Sequence, residues 1–195
     1  MRIITGSAKG TKLLAPQGLT TRPTSECAKE ALFSMIQFDL EGRHILDLFA
    51  GSGQLALEAL SRGAASAVLV DQEKEAVNVI KANAQKAHLF DRCRLLCTDF
   101  RAFLRTTAGK ESFDIVFLDP PYKENWLDEI LGKLDAGHFL HYGSLVVCES
   151  ESPNPPQFAT DTFQLKRHGR YGRIHIYLLE VIKDTSNSHL QEDFS

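Results

Sequence analysis

The sequence predicts an α/β fold: a mostly parallel sheet with helices on both faces, preceded by a small N-terminal β-hairpin and helix. Three observations predict it. From residue 44, short apolar runs alternate with amphipathic stretches at a spacing that suits βαβ units. Several of those runs end on an acid or a glycine turn, which is where an open α/β sheet binds ligands. Finally, "TFQLKRHG" and "RIHIYLLEVI" are separated only by "RYG" and read as a closing antiparallel hairpin.

Each element follows in order. "RIIT" and "TKLL", joined by "GSAKG", predict the first hairpin. Thr24 or Ser25 is a plausible cap for a helix whose apolar face holds Ala28, Ala31, Leu32, Met35 and Ile36, at i, i+3, i+4, i+7 and i+8. The strands are "HILDLFA", "ASAVLVD", "CRLLCTD", "FDIVFLD" and "SLVVCES". Between them lie "GQLALEALSRG", stopped by Gly63, then "EKEAVNVIKANAQKAH", "FRAFLRTTAG" and "ENWLDEILGKL". Right-handed crossovers between parallel strands are then expected. Residues 1–183 read as one domain, with 1–40 as an N-terminal extension. The polar "DTSNSHLQEDFS" at 184–195 reads as a disordered tail.

Composition sets outer bounds. With 195 residues, 43% hydrophobic and 24% charged, the chain suits one ordinary globular core. No apolar run approaches the roughly 18 residues of a membrane span, and "MRIITGSAKG" has no secretory apolar region, so a cytoplasmic protein is expected. Cys27, Cys93, Cys97 and Cys148 form no CxxC and are expected to be reduced and mostly buried. The scattered histidines suggest no metal site. Net charge is −3, but residues 1–25 and 162–179 contain no acid and together hold +8, leaving −11 for the rest. If the termini meet, those segments form one basic patch suited to phosphates.

The chemistry concentrates at the carboxyl ends of the strands. The first runs into "DLFAGSGQLA", where Gly51-x-Gly53-x-x-Ala56 opens a helix and lets backbone approach a ligand. The second ends at Asp71, 20 residues after Gly51, placed to bind ribose hydroxyls. The third ends at Asp99-Phe100, suited to an adenine amino group and ring face. The fourth ends in "FLDPPYK". Prolines cannot donate to a sheet ladder, so that strand stops at Asp119. A rigid strand-to-helix turn accounts for Pro120-Pro121 alone; an acid before and an aromatic after suggest a corner for a planar substrate.

A glycine turn with a downstream acid also fits a nicotinamide cofactor. Asp47, inside the first strand, favours a different ligand: a carboxylate there repels a pyrophosphate and welcomes the ammonium and sulfonium of S-adenosyl-L-methionine (SAM). An acid in an apolar strand is hard to explain without a partner.

"DLFAGSG", "VD", "TDF" and "DPPY", in that order, resemble the class I SAM-dependent methyltransferases that modify exocyclic amines. "MRIITGSAKGTKLLAP", "TRPTSE", "KEALF", "LDLFAGSGQLALEALSRGA" and "FDIVFLDPPY" resemble more closely the RsmD family of bacterial 16S rRNA guanine-N2 methyltransferases, over residues 1 to about 180. The resemblance implies a seven-stranded Rossmann-like sheet and a guanine of 16S rRNA in the assembled or assembling small ribosomal subunit. It sets Phe49, Ala50, Gly51, Gly53 and Gln72 against SAM, Asp47 near its amino group, Asp71 at the ribose, and Asp99 and Phe100 at the adenine. Asp119, Pro120, Pro121 and Tyr122 form the reaction corner. Where the family usually has Arg in a "TxDRV" stretch, this chain has Cys27, and Gln54 stands where a small residue is common. Neither departure touches the proposed chemistry.

In that corner, hydrogen bonds from the amine to the Asp119 carboxylate and the Pro120 carbonyl would favour a tetrahedral nitrogen, with Tyr122 stacked on the base. The basic ends supply candidate RNA contacts: Arg2, Lys9, Lys12, Arg22, Thr24, Lys29, Lys166, Arg167 and Arg170, with Tyr171 as a stacking ring or a packed one. A monomer docking on a large particle is expected. Adenine N6 or a glutamine side chain remain alternative targets. A nicotinamide-dependent oxidoreductase leaves Asp47 and "DPPY" unexplained.

Overall fold

The computed structural model describes residues 1–16, 26–121, 126–157 and 161–183. Arg22, Thr24, the expected Thr24/Ser25 cap, Tyr122 and the 184–195 tail lie outside the described residues. The elements are α1 (Glu26–Met35), β1 (His44–Asp47), α2 (Gln54–Ser61), β2 (Ser66–Asp71), α3 (Lys74–Lys86), β3 (Cys93–Cys97), α4 (Phe100–Thr107), β4 (Phe113–Leu118), α5 (Leu127–Ala136), β5 (Leu140–Ser150), β6 (Phe163–Tyr171) and β7 (Ile174–Val181). They build one seven-stranded sheet in the order β3-β2-β1-β4-β5-β7-β6.

Strands β1 to β5 pair in parallel, and β7 enters antiparallel between β5 and β6. The expected closing hairpin is therefore present. The order reverses at β1, whose neighbours are β2 and β4, so a crevice opens beyond the ends of those central strands. Alternate residues face opposite layers, as strand geometry requires. Ile45, Leu69, Ile115, Phe117 and Val147 pack with α1, α2 and α3, whereas Leu46, Val70, Val116, Leu118 and Val146 pack with α4 and α5.

The N-terminal hairpin is short, bridged at Arg2 and Lys12, and locked to α2 by a buried polar knot. Glu58 accepts from the amides of Ile4 (2.7 Å) and Thr5 (3.0 Å), and Ser61 Oγ accepts from Ala8 N–H (2.9 Å) while donating to the Thr5 carbonyl (2.6 Å). The approach is so close that an added Cβ at Gly6, where φ is +88°, would lie 1.8 Å from the Ser61 carbonyl oxygen. Glycine is required there. Asn83 holds the next stretch, accepting from Leu14 N–H and donating to the carbonyls of Leu14 and Ser52.

Two expectations are corrected. Lys29 is not a surface cation: it is 1% exposed, 3.4 Å from Glu58, and donates to the Arg2 carbonyl at 2.6 Å. Burial pulls its ammonium below the usual lysine range, against the upward pull of Glu58. It belongs to the lock and not to a phosphate grip. The cysteines are not mostly buried either. Only Cys148 is; Cys97 is exposed because β3 is an edge strand, and Cys27 lies on the solvent side of α1. Among the described residues, no helix is long and apolar enough to cross a membrane.

Candidate active site

Four acids converge where β1 to β4 end. Asp47 closes β1 and is 2% exposed, with Oδ2 accepting from Ala56 N–H at 3.3 Å and a further bond from the Phe49 amide. Burial dominates these bonds, and the nearby Asp71 adds to it, so its pKa is pushed up to about 7. This carboxylate is poised to gain from any cation placed beside it.

The turn after β1 is shaped by positive φ at Gly51 (54°) and Gly53 (76°). At Gly51 a Cβ would meet nothing closer than the Phe49 carbonyl at 4.0 Å, so bare backbone faces an open cradle. At Gly53 the same atom would press on Ile80 and Leu69 at 3.2 and 3.3 Å, so this glycine serves helix–strand packing. Asp71 Oδ2 accepts from Gly51 N–H (2.8 Å) and Oδ1 from Glu73 N–H (2.9 Å), tying the end of β2 to the turn. Gln72 lies exposed beside it.

Asp99 is an N-cap: its Oδ1 accepts from Arg101 N–H at 2.9 Å and Ala102 N–H at 3.2 Å. The cap fixes the start of α4 and therefore Phe100, which is buried against Phe49 (5.2 Å between centroids) and Trp126 (5.2 Å). At the end of β4, Asp119 is half-buried, Pro120 buried and Pro121 exposed. The sheet thus gathers Asp47, Phe49, Ala50, Gly51, Gly53, Asp71, Gln72, Asp99, Phe100 and the Asp119–Pro121 corner along one edge.

Trp126 was not anticipated from sequence. It caps α5 just beyond the corner, stacks on Phe49 at 6.1 Å and 21°, and lies 5.2 Å from the Arg101 guanidinium. Arg101 is itself held by both oxygens of Glu129, at 2.8 and 2.6 Å. The signal was the ring in "ENWLDEIL", four residues past Tyr122; nothing local tied it to Phe49 and Phe100.

The basic candidates divide. Lys9, Lys12, Arg167 and Arg170 are exposed. Arg2 lies 3.3 Å from Glu26, and Lys166 3.0 Å from Glu180. Tyr171 is half-buried and packs across Gly169, whose added Cβ would meet the Tyr171 hydroxyl at 2.7 Å and Met35 at 2.8 Å. It is the packed ring of the two readings. Both basic segments reach α1, Arg2 at Glu26 in its first turn and Gly169 beside Met35 at its last residue, contact points roughly 14 Å apart along the helix.

The sequence over residues 1–180 matches a family model described as conserved hypothetical protein 95. YlbH of Bacillus subtilis, named as a candidate rRNA methyltransferase, is 40% identical over 152 residues, 77% of this chain and 83% of that one. Ribosomal RNA small subunit methyltransferase D of Escherichia coli is 31% identical, covering 89% and 86%. The solved Escherichia coli yhhF structure, named as a candidate methyltransferase, superposes with a TM-score of 0.83 at 30% identity, covering 93% and 98%. A Salinibacter ruber RNA methyltransferase solved with S-adenosyl-L-homocysteine shares the fold, with TM-score 0.63 and 17% identity over 83% and 95%.

Proposed function

This chain belongs to the conserved hypothetical protein 95 (RsmD) family, and from that premise we propose that it methylates the exocyclic N2 amine of a guanine in small-subunit rRNA, using SAM. The observation that carries the reading is the Asp119-Pro120-Pro121 corner set on the same sheet edge as an acid-lined glycine turn. The donor set fits the cofactor. Asp47, Asp71, Asp99 and Asp119 occupy the strand ends, and a cation suits them where a pyrophosphate does not. The bare Gly51 backbone offers close approach. The cofactor's contribution is an electrophilic methyl group.

The chain's residues do the rest. Asp47 would neutralise the ammonium, Asp71 accept from ribose hydroxyls, and Phe100 wall the adenine. The second carboxylate oxygen of Asp99 would receive its amino group. The guanine amine is a weak nucleophile because its lone pair is delocalised into the ring. Hydrogen bonds to Asp119 and the Pro120 carbonyl localise that pair, and Asp119 stabilises the positive charge that develops on nitrogen. Lys9, Lys12, Arg167 and Arg170 would hold phosphates without reading sequence.

The test uses labelled SAM and small ribosomal subunits from cells lacking this gene, followed by digestion of the rRNA and identification of the nucleoside. N2-methylguanosine at one site is expected, with far less label in an isolated RNA hairpin, because phosphate contacts from Lys9, Lys12, Arg167 and Arg170 grip RNA without reading sequence. A monomer working in the cytoplasm suits a particle-bound target. Another nucleoside would overturn the guanine assignment; label in protein and none in rRNA would overturn the substrate.

The cofactor site can be followed independently of RNA. Trp126 is the chain's sole tryptophan and touches the proposed adenine wall. SAM is expected to change its emission saturably, and Asp71→Ala to move the midpoint to higher concentration. Emission unchanged at saturating SAM would detach the Phe49–Phe100–Trp126 cluster from the cofactor.

A further inference from the structure

Two histidines near the reaction corner have no part in the chemistry above. His168 Nε2 and His175 Nδ1 lie 2.9 Å apart, with the rings 7° from parallel and their centroids 5.2 Å apart. A nitrogen-to-nitrogen hydrogen bond at that centroid distance sets the imidazoles edge to edge, as one flat plate. Beneath it lies Tyr177, whose ring is parallel to His168 within 6° at 4.6 Å. Tyr177 is buried and pinned by its hydroxyl, which donates to the Ser152 carbonyl at 2.8 Å. Burial, then His168 and Arg170, hold His175 below the usual imidazole range, which favours its neutral form in this contact.

The plate stands at the working end of the sheet. Leu118 pairs with Cys148, Ser150 with His175, and His175 with Arg170. Pro120 and Ser150, each two residues further along, therefore lie level with His175, which is about two strand spacings from the corner, and His168 on β6 stands one spacing further out, roughly 15 Å between backbones. By strand alternation Arg170 projects from the same face as His168. His168 is exposed whereas His175 is buried, so the wet face of the plate is the His168 ring, and the exposed Arg170 stands at its rim.

Resting on the rRNA reading above, we infer that the His168 ring, held by His175 and Tyr177, is a stacking platform for an unpaired base next to the target nucleotide, with Arg170 taking its phosphate. A neighbour is required because three strand spacings exceed what one base at the corner can span. RNA is the occupant because flat imidazoles take bases in single strands and the guanidinium takes the anion. The plate is preorganised: the hydrogen bond and the Tyr177 stack already fix both rings, so stacking costs little ordering.

The test compares wild type, His168→Ala and His168→Phe on small ribosomal subunits lacking the modification, together with SAM affinity and Tm. Removing a base–aromatic stack weakens binding by roughly 5- to 150-fold. His168→Ala is therefore expected to raise KM for the particle by about tenfold, with kcat, SAM affinity and Tm held. His168→Phe keeps a ring and is expected near the wild-type KM. An unchanged KM in the alanine variant overturns the platform. So does equal loss in both variants with a lowered Tm, which would mark a structural pair. A wild-type protein inert on the particle would overturn the rRNA reading itself, and the platform with it.

Discussion

Asp119→Ala is expected to lower kcat on the particle by roughly 10²–10³, the usual cost of removing one preorganised partner of developing charge. SAM affinity should hardly move. The division follows from placement. Asp119 directly follows β4, at the corner, whereas Asp71 ends β2 and is already bonded to the Gly51 amide. Asp71→Ala should therefore weaken SAM binding first, because it removes a ribose acceptor and releases the glycine turn together. Single-turnover rates with saturating cofactor, beside titrations of Trp126 emission, separate the two effects. Equal loss of cofactor binding in both variants would mean that Asp119 is part of the cofactor cradle, and the corner would lose its chemical role.

Much of this arrangement could be read along the chain because its signals are local. The β1 to β5 runs, the glycine turn and the terminal acids are each contained within a few residues, and parallel βαβ topology then brings the ends together. What escaped depended on distant partners. Lys29 looked like a surface cation because its own helix cannot reveal that Glu58, 29 residues later, meets it in the core. Asp99 could be placed at a ligand, yet its bonds to Arg101 and Ala102 also make it a cap. Trp126 and the His168–His175 pair acquire meaning only through the packing of α5 and the register of β6 on β7. The N-terminal lock has the same character: "GSAKG" reads as a turn, but only the fold sets Gly6 against Ser61.

Asp47→Asn is expected to make the cofactor-free protein more stable and the enzyme worse. An ordinary native carboxylate has a depressed pKa and loses stability as pH falls. Asp47 runs the other way, with its pKa raised from 3.8 to about 7 by burial. Between those values the folded chain keeps a proton that the unfolded chain releases, so stability falls as pH rises through that window and stays low above it. The displacement corresponds to about 4 kcal/mol at most. Asparagine cannot ionise and can still accept from Ala56 N–H, so Asp47→Asn should raise Tm at pH 8, with the advantage shrinking toward pH 4. The same substitution deletes the charge proposed to meet the SAM ammonium, and affinity should drop by about tenfold or more, the usual worth of a charged hydrogen bond. Wild-type affinity should itself fall by about tenfold for each pH unit below about 7, because the cation must first displace the Asp47 proton, and the asparagine variant should lack that slope. Thermal unfolding and SAM titration across pH check both halves. A Tm at pH 8 that is unchanged or lowered would mean that Asp47 is paired within the apo fold. A retained pH slope in the variant would assign the titration to another group.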